Sequence, residues 1–336
     1  MKKISLIILV LLVVSSSLFA QDGVSSATQQ AKVIAEQHDF SSWNMTPYHL
    51  DQTLITIGGS SLIRWGSAPD NRGFPVRWYG LSYILAVMTS YMLLSWYLKK
   101  EKNPLLTIDQ LDGALTWIIG GIVIGARMGY VVFYNLPYFL QHPLEIILPF
   151  RDGHFVGISG MSYHGGLIGI IIAVAIFLKR EKLCFWKVSP LFFWVAPLGY
   201  TWGRLGNFIN GELYGRVTTH PIGMLFPQAP SVELRHPSQL YEAFSEGIVV
   251  FALLTFFRRY EWGRKATIPL YLIGYGIARF GVEFFREPDD FIGLNALGMS
   301  RGQMLSSAMI VVAIGIWIVQ KKTTLLTCKE SAPQEL

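Results

Sequence analysis

Seven long apolar segments restrict what this chain can fold into more than any other feature. Each is close to the roughly 20 residues that a helix needs to cross the hydrocarbon core of a bilayer. Only 15% of the residues are charged, whereas soluble domains carry about 25%. We therefore predict an all-α fold, a polytopic membrane helix bundle of about seven transmembrane helices. The predicted spans are 79–98, 113–134, 164–178, 189–209, 245–257, 268–285 and 304–320.

The first twenty residues have the pattern of a secretory signal. Lys2 and Lys3 precede an apolar run, and Ala20 suits the last position before a cleavage site. Leu18 is bulky where a small residue is preferred, so an uncleaved signal anchor is the competing interpretation. The predicted divisions are a signal peptide or anchor at 1–20, a polar extracytoplasmic segment at 21–78, a transmembrane domain at 79–322 and a cytoplasmic tail at 323–336.

Basic residues are concentrated in alternate loops, and cytoplasmic loops are the ones that Lys and Arg favour. The opposite loops carry only arginines: Arg151, Arg216, Arg235, Arg286 and Arg301. We therefore predict that the lysine-containing loops and the C-terminus are cytoplasmic. The lysine-containing loops and tail hold Lys99, Lys100, Lys102, Lys179, Arg180, Lys182, Lys187, Arg258, Arg259, Arg264, Lys265, Lys321, Lys322 and Lys329.

Charge and cysteine content narrow the class of protein further. The net charge of +6 is located mostly beside apolar segments, which favours contact with lipid over nucleic acid, so no nucleic-acid partner is predicted. Cys184 and Cys328 provide no disulfide framework and no metal cluster, and we predict that both are free thiols. The histidines and carboxylates also lack the spacing of a metal site, so no metal is predicted.

An ionisable side chain within a span costs about 2.5–3.5 kcal/mol on insertion scales, so each one marks a candidate functional position. The second span contains Arg127, with Tyr130 and Tyr134 on the same face. The alternative is a packing face whose arginine reaches the interface, since Gly121, Gly125 and Gly129 follow the small-residue pattern of close helix contacts. His164 opens the third span among flanking glycines. It is either a functional group or a structural histidine.

Two further stripes of polar residues follow. Arg204, Asn207 and Gly211 share a helix face, and a cation with an amide and an open backbone suits an anionic oxygen ligand such as phosphate. On the sixth span the stripe is formed by Tyr275, Arg279, Glu283 and Arg286. Glu283 can neutralise one arginine, which predicts a net positive charge facing inward; a structural ion-pair ladder is the alternative. The pattern indicates a site for a negatively charged amphiphile reached from the lipid.

The segment around Arg204, GRLGNFINGELYGR at 203–216, carries a specific resemblance. With the segments 77–81, 160–166, 236–242 and 275–289, in that order, it resembles the prolipoprotein diacylglyceryl transferase family. The resemblance covers the chain from Arg77 to the last predicted helix. The chain departs from the family's pattern in its long segment before Arg77 and in a longer loop at 151–158, which includes His154.

The resemblance implies a catalytic transmembrane domain in the bacterial inner membrane, with its active site on the extracytoplasmic side. The implied reaction transfers the sn-1,2-diacylglyceryl group of phosphatidylglycerol to the lipobox cysteine of a prolipoprotein signal peptide, releasing glycerol phosphate, without a cofactor. Arg204 and Arg279 would hold the phosphodiester and stabilise its developing charge, and His164 is the candidate base for the thiol. The substrate-binding positions implied are Arg204, Asn207, Glu212, Gly215, Tyr79, Arg127, Tyr275, Glu283 and Arg286.

Two other classes of protein remain as alternatives. A transporter or channel for an anionic solute would favour internal repeats and helices broken at mid-depth, and the sequence shows no repeat. A structural membrane subunit would leave the stripes of Arg204 and Arg279 unexplained. A transfer assay with phosphatidylglycerol and a lipobox peptide separates these alternatives from the enzyme.

Overall fold

Six of the seven predicted spans fall within helices of the structure, and the span predicted at 268–285 extends three residues beyond its helix, which ends at Val282. The computed structural model describes residues 53–57, 74–101, 104–147, 150–151, 154–155, 162–226, 229–231, 233–287 and 299–322. The helices are α1 (Trp78–Lys100), α2 (Ile108–Tyr134), α3 (Leu136–Gln141), α4 (Tyr163–Arg180), α5 (Phe185–Asn210), α6 (Ser238–Phe257), α7 (Glu261–Lys265), α8 (Thr267–Val282) and α9 (Arg301–Lys322). A 3-10 turn, Pro143–Ile146, follows α3. The short strands are β1 (Thr53–Ile57), antiparallel to β2 (Phe74–Arg77), and β3 (Phe150–Arg151), antiparallel to β4 (His154–Phe155).

Four of these helices are long and apolar enough to cross a membrane, namely α1, α2, α6 and α9. The helix α8 is shorter, with 16 residues, and α5 contains Pro190, Pro197 and Arg204. The predicted membrane helix bundle is therefore confirmed, whereas the number of seven spans stays a prediction. The span predicted at 245–257 began too late, because its helix starts at Ser238.

The helices α2 and α4 pack backbone to backbone along the glycine stripe. A Cβ atom at Gly125 would overlap the carbonyl oxygen of Gly165, and one at Gly129 would lie 2.6 Å from the Cα of Gly165. At Gly121 an added Cβ would lie 2.6 Å from the carbonyl oxygen of Gly169. The predicted small-residue packing face is confirmed, since only glycine allows this approach.

We expect Gly125→Ala to destabilise the α2–α4 contact, because its Cβ meets a backbone carbonyl that cannot rotate away. Overpacking of this kind costs about 1–3 kcal/mol and is measured as a lower unfolding temperature in detergent. Gly120→Ala is the matched control, since a Cβ there meets nothing within 4 Å and alanine favours helix by about 1 kcal/mol. Equal unfolding temperatures for the two variants would contradict the packing argument.

The remaining helices form a second group around an apolar core. The helix α1 packs along α5, α8 packs along α9, and α6 contacts both α5 and α8. Buried side chains such as Leu98, Leu191, Trp194, Val250 and Leu254 form a cluster where α1, α5 and α6 meet. This packing fixes α5, α6 and α8 relative to one another, and these are the helices that carry the polar residues described below.

A π-helical segment, Ala243–Val249, interrupts α6. Such segments within α-helices are frequent at functional sites. Glu242 and Glu246 lie at and within this segment, and both are fully buried. Gly247 lies against Thr201 of α5 so closely that an added Cβ would overlap the threonine hydroxyl. The segment thus brings two carboxylates against α5 inside the bundle.

Two predictions need comment. Cys184 is disulfide-bonded in the structure, so the prediction that it is a free thiol was wrong. That prediction used chain position alone, which does not show which residue approaches the sulfur. The signal-like segment 1–20 and the tail 323–336 lie outside the described residues, and the domain boundaries stay predictions.

Candidate functional site

One buried carboxylate, Glu242, lies at the centre of a cluster of three arginines. Its Oε1 accepts hydrogen bonds from Nη1 of Arg279 at 3.0 Å and from Nη1 of Arg286 at 3.2 Å. Its Oε2 lies 2.6 Å from Nε of Arg204. That Nε–H donates to the hydroxyl of Tyr200 at 2.8 Å, so its contact with Glu242 is an ion pair rather than a hydrogen bond.

Two more carboxylates complete the cluster. Oε1 of Glu246 lies 3.9 Å from Nη1 of Arg279, and its Oε2 accepts a hydrogen bond from Tyr200 at 2.5 Å. Glu283 lies 2.6 Å from Nη2 of Arg279 and accepts a hydrogen bond from Ser300 at 2.9 Å. Tyr275 lies edge-on to Tyr200, with ring centroids 5.5 Å apart. Helices α5, α6 and α8, together with the turn that follows α8 and the residue that precedes α9, therefore supply one continuous polar network.

The formal charges of this arginine–glutamate cluster balance, with Arg204, Arg279 and Arg286 against Glu242, Glu246 and Glu283. The predicted net positive charge was therefore wrong, because Glu242 and Glu246 of α6 face arginines that belong to other segments. The arginine side chains are still 14–16% exposed, while both α6 carboxylates have no exposed surface. The arginines are therefore the accessible groups of the cluster, whereas Glu242 and Glu246 are fully enclosed.

The segment after α5 forms the rim of this cluster. Asn207 accepts a hydrogen bond from Nη1 of Arg204 at 3.3 Å and donates to Glu212 at 2.7 Å. Gly211 ends α5 in the left-handed conformation, with φ of 71°, which glycine adopts without strain. The chain can therefore turn back over the helix and place Glu212 beside Asn207.

Gly215 is held between two other segments of the chain. Its N–H donates to the carbonyl of His236 at 2.8 Å, and it pairs with Arg286 in an isolated antiparallel bridge. A Cβ there would lie 2.6 Å from the His236 carbonyl oxygen and would also overlap that of Phe285. Gly215 thus positions the backbone of Arg286 and of His236 by close approach and offers no polar side chain.

A small layer of residues between α5 and α6 and after α8 covers this rim. Arg235 is buried, with Nη1 at 2.9 Å from Glu287 and at 3.3 Å from the carbonyl of Gly215. His236 contacts the hydroxyl of Tyr241 at 3.1 Å. Burial, with a smaller contribution from His220, lowers the pKa of His236 from its ordinary value and favours the neutral ring. The layer connects the end of α5, the start of α6 and the end of α8.

The structure does not gather every predicted site residue into the cluster. Arg204, Asn207, Glu212, Gly215, Tyr275, Arg279, Glu283 and Arg286 form it or its rim. His164 lies exposed in the first turn of α4, which packs mainly on α2. Arg127 donates to the carbonyls of Ile146 and Glu145 and lies over the ring of Phe139, with 4.9 Å to the centroid. Tyr79 lies in the first turn of α1, and its side chain lies outside the described part of the chain.

Three members of the cluster were not singled out as site residues from the sequence: Glu242, Glu246 and Tyr200. Glu246 lies within the predicted span 245–257, where an ionisable residue is itself a signal of function. Glu242 precedes that span by three positions and escaped the same test because the predicted boundary was too late. Tyr200 lies four residues before Arg204, on the same helix face.

The fold and the cluster define a class: a polytopic membrane protein whose helices enclose a buried arginine–glutamate network. Residues 70–319 match the family described as prolipoprotein diacylglyceryl transferase. The chain therefore belongs to this family, which confirms the resemblance found in its sequence.

Individual relatives cover most of the chain. The phosphatidylglycerol–prolipoprotein diacylglyceryl transferase of Chlorobaculum tepidum is 51% identical over 294 residues, covering 84% of this chain and 95% of that protein. The proteins of the same name from Wolinella succinogenes and Idiomarina loihiensis are 45% and 41% identical. They are matched over 82% and 74% of this chain and over 95% and 89% of their own lengths.

Proposed function

We propose that this chain transfers the sn-1,2-diacylglyceryl group of phosphatidylglycerol to the cysteine thiol of a prolipoprotein lipobox, the first step of lipoprotein maturation. The arginine–glutamate cluster around Glu242 is the observation that carries this proposal. A phosphodiester headgroup matches the exposed side of the cluster, because guanidinium groups form paired hydrogen bonds with phosphate oxygens. The names of the relatives supply the donor and the acceptor class.

The reaction displaces oxygen from carbon. The thiolate sulfur attacks the sn-3 carbon of the glyceryl group, a carbon–sulfur bond forms, and the carbon–oxygen bond to phosphate breaks. The leaving glycerol phosphate carries one more negative charge than the diester until it takes up the proton that the thiol lost. Cations placed at that oxygen stabilise the transition state more than the ground state, which is the requirement for catalysis.

The cluster has N–H groups to offer such a phosphate. Among the described residues, Nη2 of Arg204 has no hydrogen-bond partner, and Arg286 uses Nη1 alone for its contact with Glu242. Glu242 keeps the three guanidinium groups together before lipid binds, since three bare cations at this spacing would repel one another. The carboxylate thus preorganises the arginines instead of competing for the substrate.

A direct assay tests the proposed reaction. The purified full chain is incubated with phosphatidylglycerol and a peptide that carries a lipobox cysteine, and the peptide is examined by mass spectrometry. We expect an added diacylglyceryl mass and release of glycerol phosphate in equal amounts. A Cys→Ser peptide and a neutral lipid of the same acyl composition are the controls. Absence of the added mass with folded protein would contradict the proposal.

His164 is proposed as the base for the thiol, although it lies on the α2–α4 pair and outside the arginine–glutamate cluster. We expect His164→Gln to lower turnover and to leave the affinity for phosphatidylglycerol nearly unchanged. The loss should shrink at high pH, where the peptide thiol is already ionised. Initial rates measured across pH check this expectation. Full activity of the variant at neutral pH would remove His164 from the role.

We place the cluster on the extracytoplasmic side of the inner membrane and the C-terminus in the cytoplasm, because the loops rich in lysine lie at the other end. Single cysteines replacing Lys100, Arg180 and Arg264 should react with a membrane-impermeant maleimide only after permeabilisation. A cysteine at Pro230 should react in intact spheroplasts. Labelling of position 264 from outside would overturn this orientation.

A further inference from the structure

A second polar cavity lies at the opposite end of the bundle from the arginine–glutamate cluster. Arg258 follows the last residue of α6, sixteen positions after Glu242, which corresponds to about 24 Å along a helix. The cavity has a volume of about 320 Å³, within the range of roughly 300–1,000 Å³ typical of small-ligand pockets. The end of α1, the first turn of α5 and the segment after α6 line it.

Cations predominate among the polar groups of this basic pocket. Lys187, Arg258 and Arg264 line it together with Glu101. A further pair on its edge, Lys265 and Glu261, is joined at 2.7 Å and largely exposed, so its charges cancel. The pocket therefore retains a net charge of about +2, which an anion would neutralise.

Arg258 distinguishes this pocket from an ordinary set of solvated basic residues at a membrane surface. Its guanidinium lies over the rings of Trp194 and Tyr97, at 4.5 and 5.3 Å from their centroids. Among the described residues it has no carboxylate within ion-pair distance. Burial is the main influence on its pKa and lowers it from the ordinary value, while Tyr97, which accepts a hydrogen bond from it, and more weakly Glu101 act in the opposite direction. Glu101 is shared among Lys187, Arg258 and Arg264, so a half-buried cation in this pocket still favours an external anion.

The first turn of α5 adds to the positive potential. It contains no acidic residue, and its N-cap Cys184 forms no side-chain capping bond. Trp186 and Lys187 of this turn line the pocket, so the positive end of a 26-residue helix faces it. The tendency of cytoplasmic loops to be basic accounts for lysines at this level, but not for their convergence on a cavity with aromatic walls.

We propose that the basic pocket binds a phosphate group at the membrane surface, carried by an anionic phospholipid headgroup or by a soluble phosphate ester. Arg258 and Arg264 would supply paired N–H donors to the phosphate oxygens, and Lys187 a third charge. The aromatic walls, Tyr97 and Trp186, suit the interfacial depth of a lipid headgroup. This proposal does not rest on the transferase reaction.

The test is a binding measurement on the full chain in detergent. Dihexanoyl phosphatidic acid, its phosphocholine analogue and inorganic phosphate are titrated separately, with tryptophan fluorescence as the readout. We expect the double variant Lys187→Gln, Arg264→Gln to bind phosphatidic acid about 30-fold more weakly, since each basic residue near a membrane surface contributes about fivefold. The matched control is Lys179→Gln, Arg180→Gln, which removes the same charge from the end of α4.

Single variants at adjacent positions sharpen the comparison. Arg258→Gln should weaken binding, whereas Arg259→Gln should not, because Arg259 lies over Phe256 and does not line the pocket. Glu101→Gln should tighten binding about fivefold by removing the opposing charge. This opposite sign keeps the proposal testable even if loss of Arg258 unfolds the protein.

The outcomes separate the two sources of phosphate. Weaker binding of phosphatidic acid alone supports a lipid headgroup, and a parallel loss for inorganic phosphate supports recognition of phosphate from either source. Equal affinity of phosphatidic acid for the double variant and its matched control overturns the proposal. The proposal is also overturned if the phosphocholine lipid binds tightly and the same variants lose that binding. In that case the pocket would not select its ligand by net charge.

Discussion

Arg204→Lys is expected to lose nearly all transferase activity although it keeps the positive charge. Arg204 contacts Tyr200 and Glu242 through Nε and Asn207 through Nη1, a set that requires the planar fork of a guanidinium. Lysine places one compact charge on a flexible stem and cannot hold Asn207 and a phosphate oxygen together. Loss of one such donor lowers rates by about 10²–10³. Initial rates of lipopeptide formation measure the effect.

Arg279→Lys should behave in the same way, because Arg279 joins Glu242 to Glu283 through its two terminal nitrogens. Arg259→Lys is the matched control, since Arg259 lies at the other end of α6. Unfolding temperatures near that of the unmodified protein would assign the losses to chemistry rather than to folding. Near-normal transfer by folded Arg204→Lys would show that Arg204 need not hold Asn207 and a phosphate oxygen together, and near-normal transfer by Arg204→Ala would exclude the phosphate site itself.

The sequence predicted the helices well because their signal is local. Apolar runs located the seven long helices, though not the short α3 and α7, and the glycine repeat at Gly121, Gly125 and Gly129 predicted the close contact that α2 makes. Boundaries were less certain where a helix begins with polar residues. The start of α6 at Ser238 carries a buried glutamine and a buried glutamate, so hydropathy alone did not include it.

Individual site residues were predicted better than their partners. A stripe such as Arg279, Glu283 and Arg286 shows which residues share a face of the predicted sixth span, and the helical repeat alone is enough for that prediction. Which carboxylate the stripe meets depends on how α6 packs on α8, and that contact joins residues 37 positions apart. The predicted excess of positive charge was wrong for this reason, and the balanced cluster needed the tertiary structure.

His164 and Arg127 were predicted as site residues but lie away from the arginine–glutamate cluster. His164 lies at the start of its predicted span and Arg127 within its own, as predicted, but both are on the α2–α4 pair rather than on the helices around Glu242. Arg127 supports the backbone of the 3-10 turn, which agrees with its alternative as an arginine at the interface. Sequence spacing could not show that His164 and Arg127 lie apart from the residues around Glu242. Each set of polar residues follows the same helical repeat along its own helix, and the repeat does not show which helices pack together.

Glu242→Ala is expected to have the largest effect of any single change, on stability as well as on transfer. Glu242 is fully buried and faces Arg204, Arg279 and Arg286. Removing it leaves mutually repelling cations without their shared partner, and breaking a buried ion pair in this way costs about 3–5 kcal/mol. We expect a much lower unfolding temperature in detergent and no detectable lipopeptide. Glu233→Gln is the control, because Glu233 lies on the exposed surface.

A compensating variant separates charge balance from simple loss of packing. Glu242→Gln keeps the volume of the side chain but removes one negative charge, so it should destabilise nearly as much as alanine. Adding Arg286→Gln removes one of the three cations and should restore part of the unfolding temperature, while transfer stays low because a phosphate donor is lost. If Glu242→Gln unfolds at the temperature of the unmodified protein, the carboxylate does not hold the arginines together. If Arg286→Gln adds a further loss to Glu242→Gln, repulsion among the arginines is not the cause of instability.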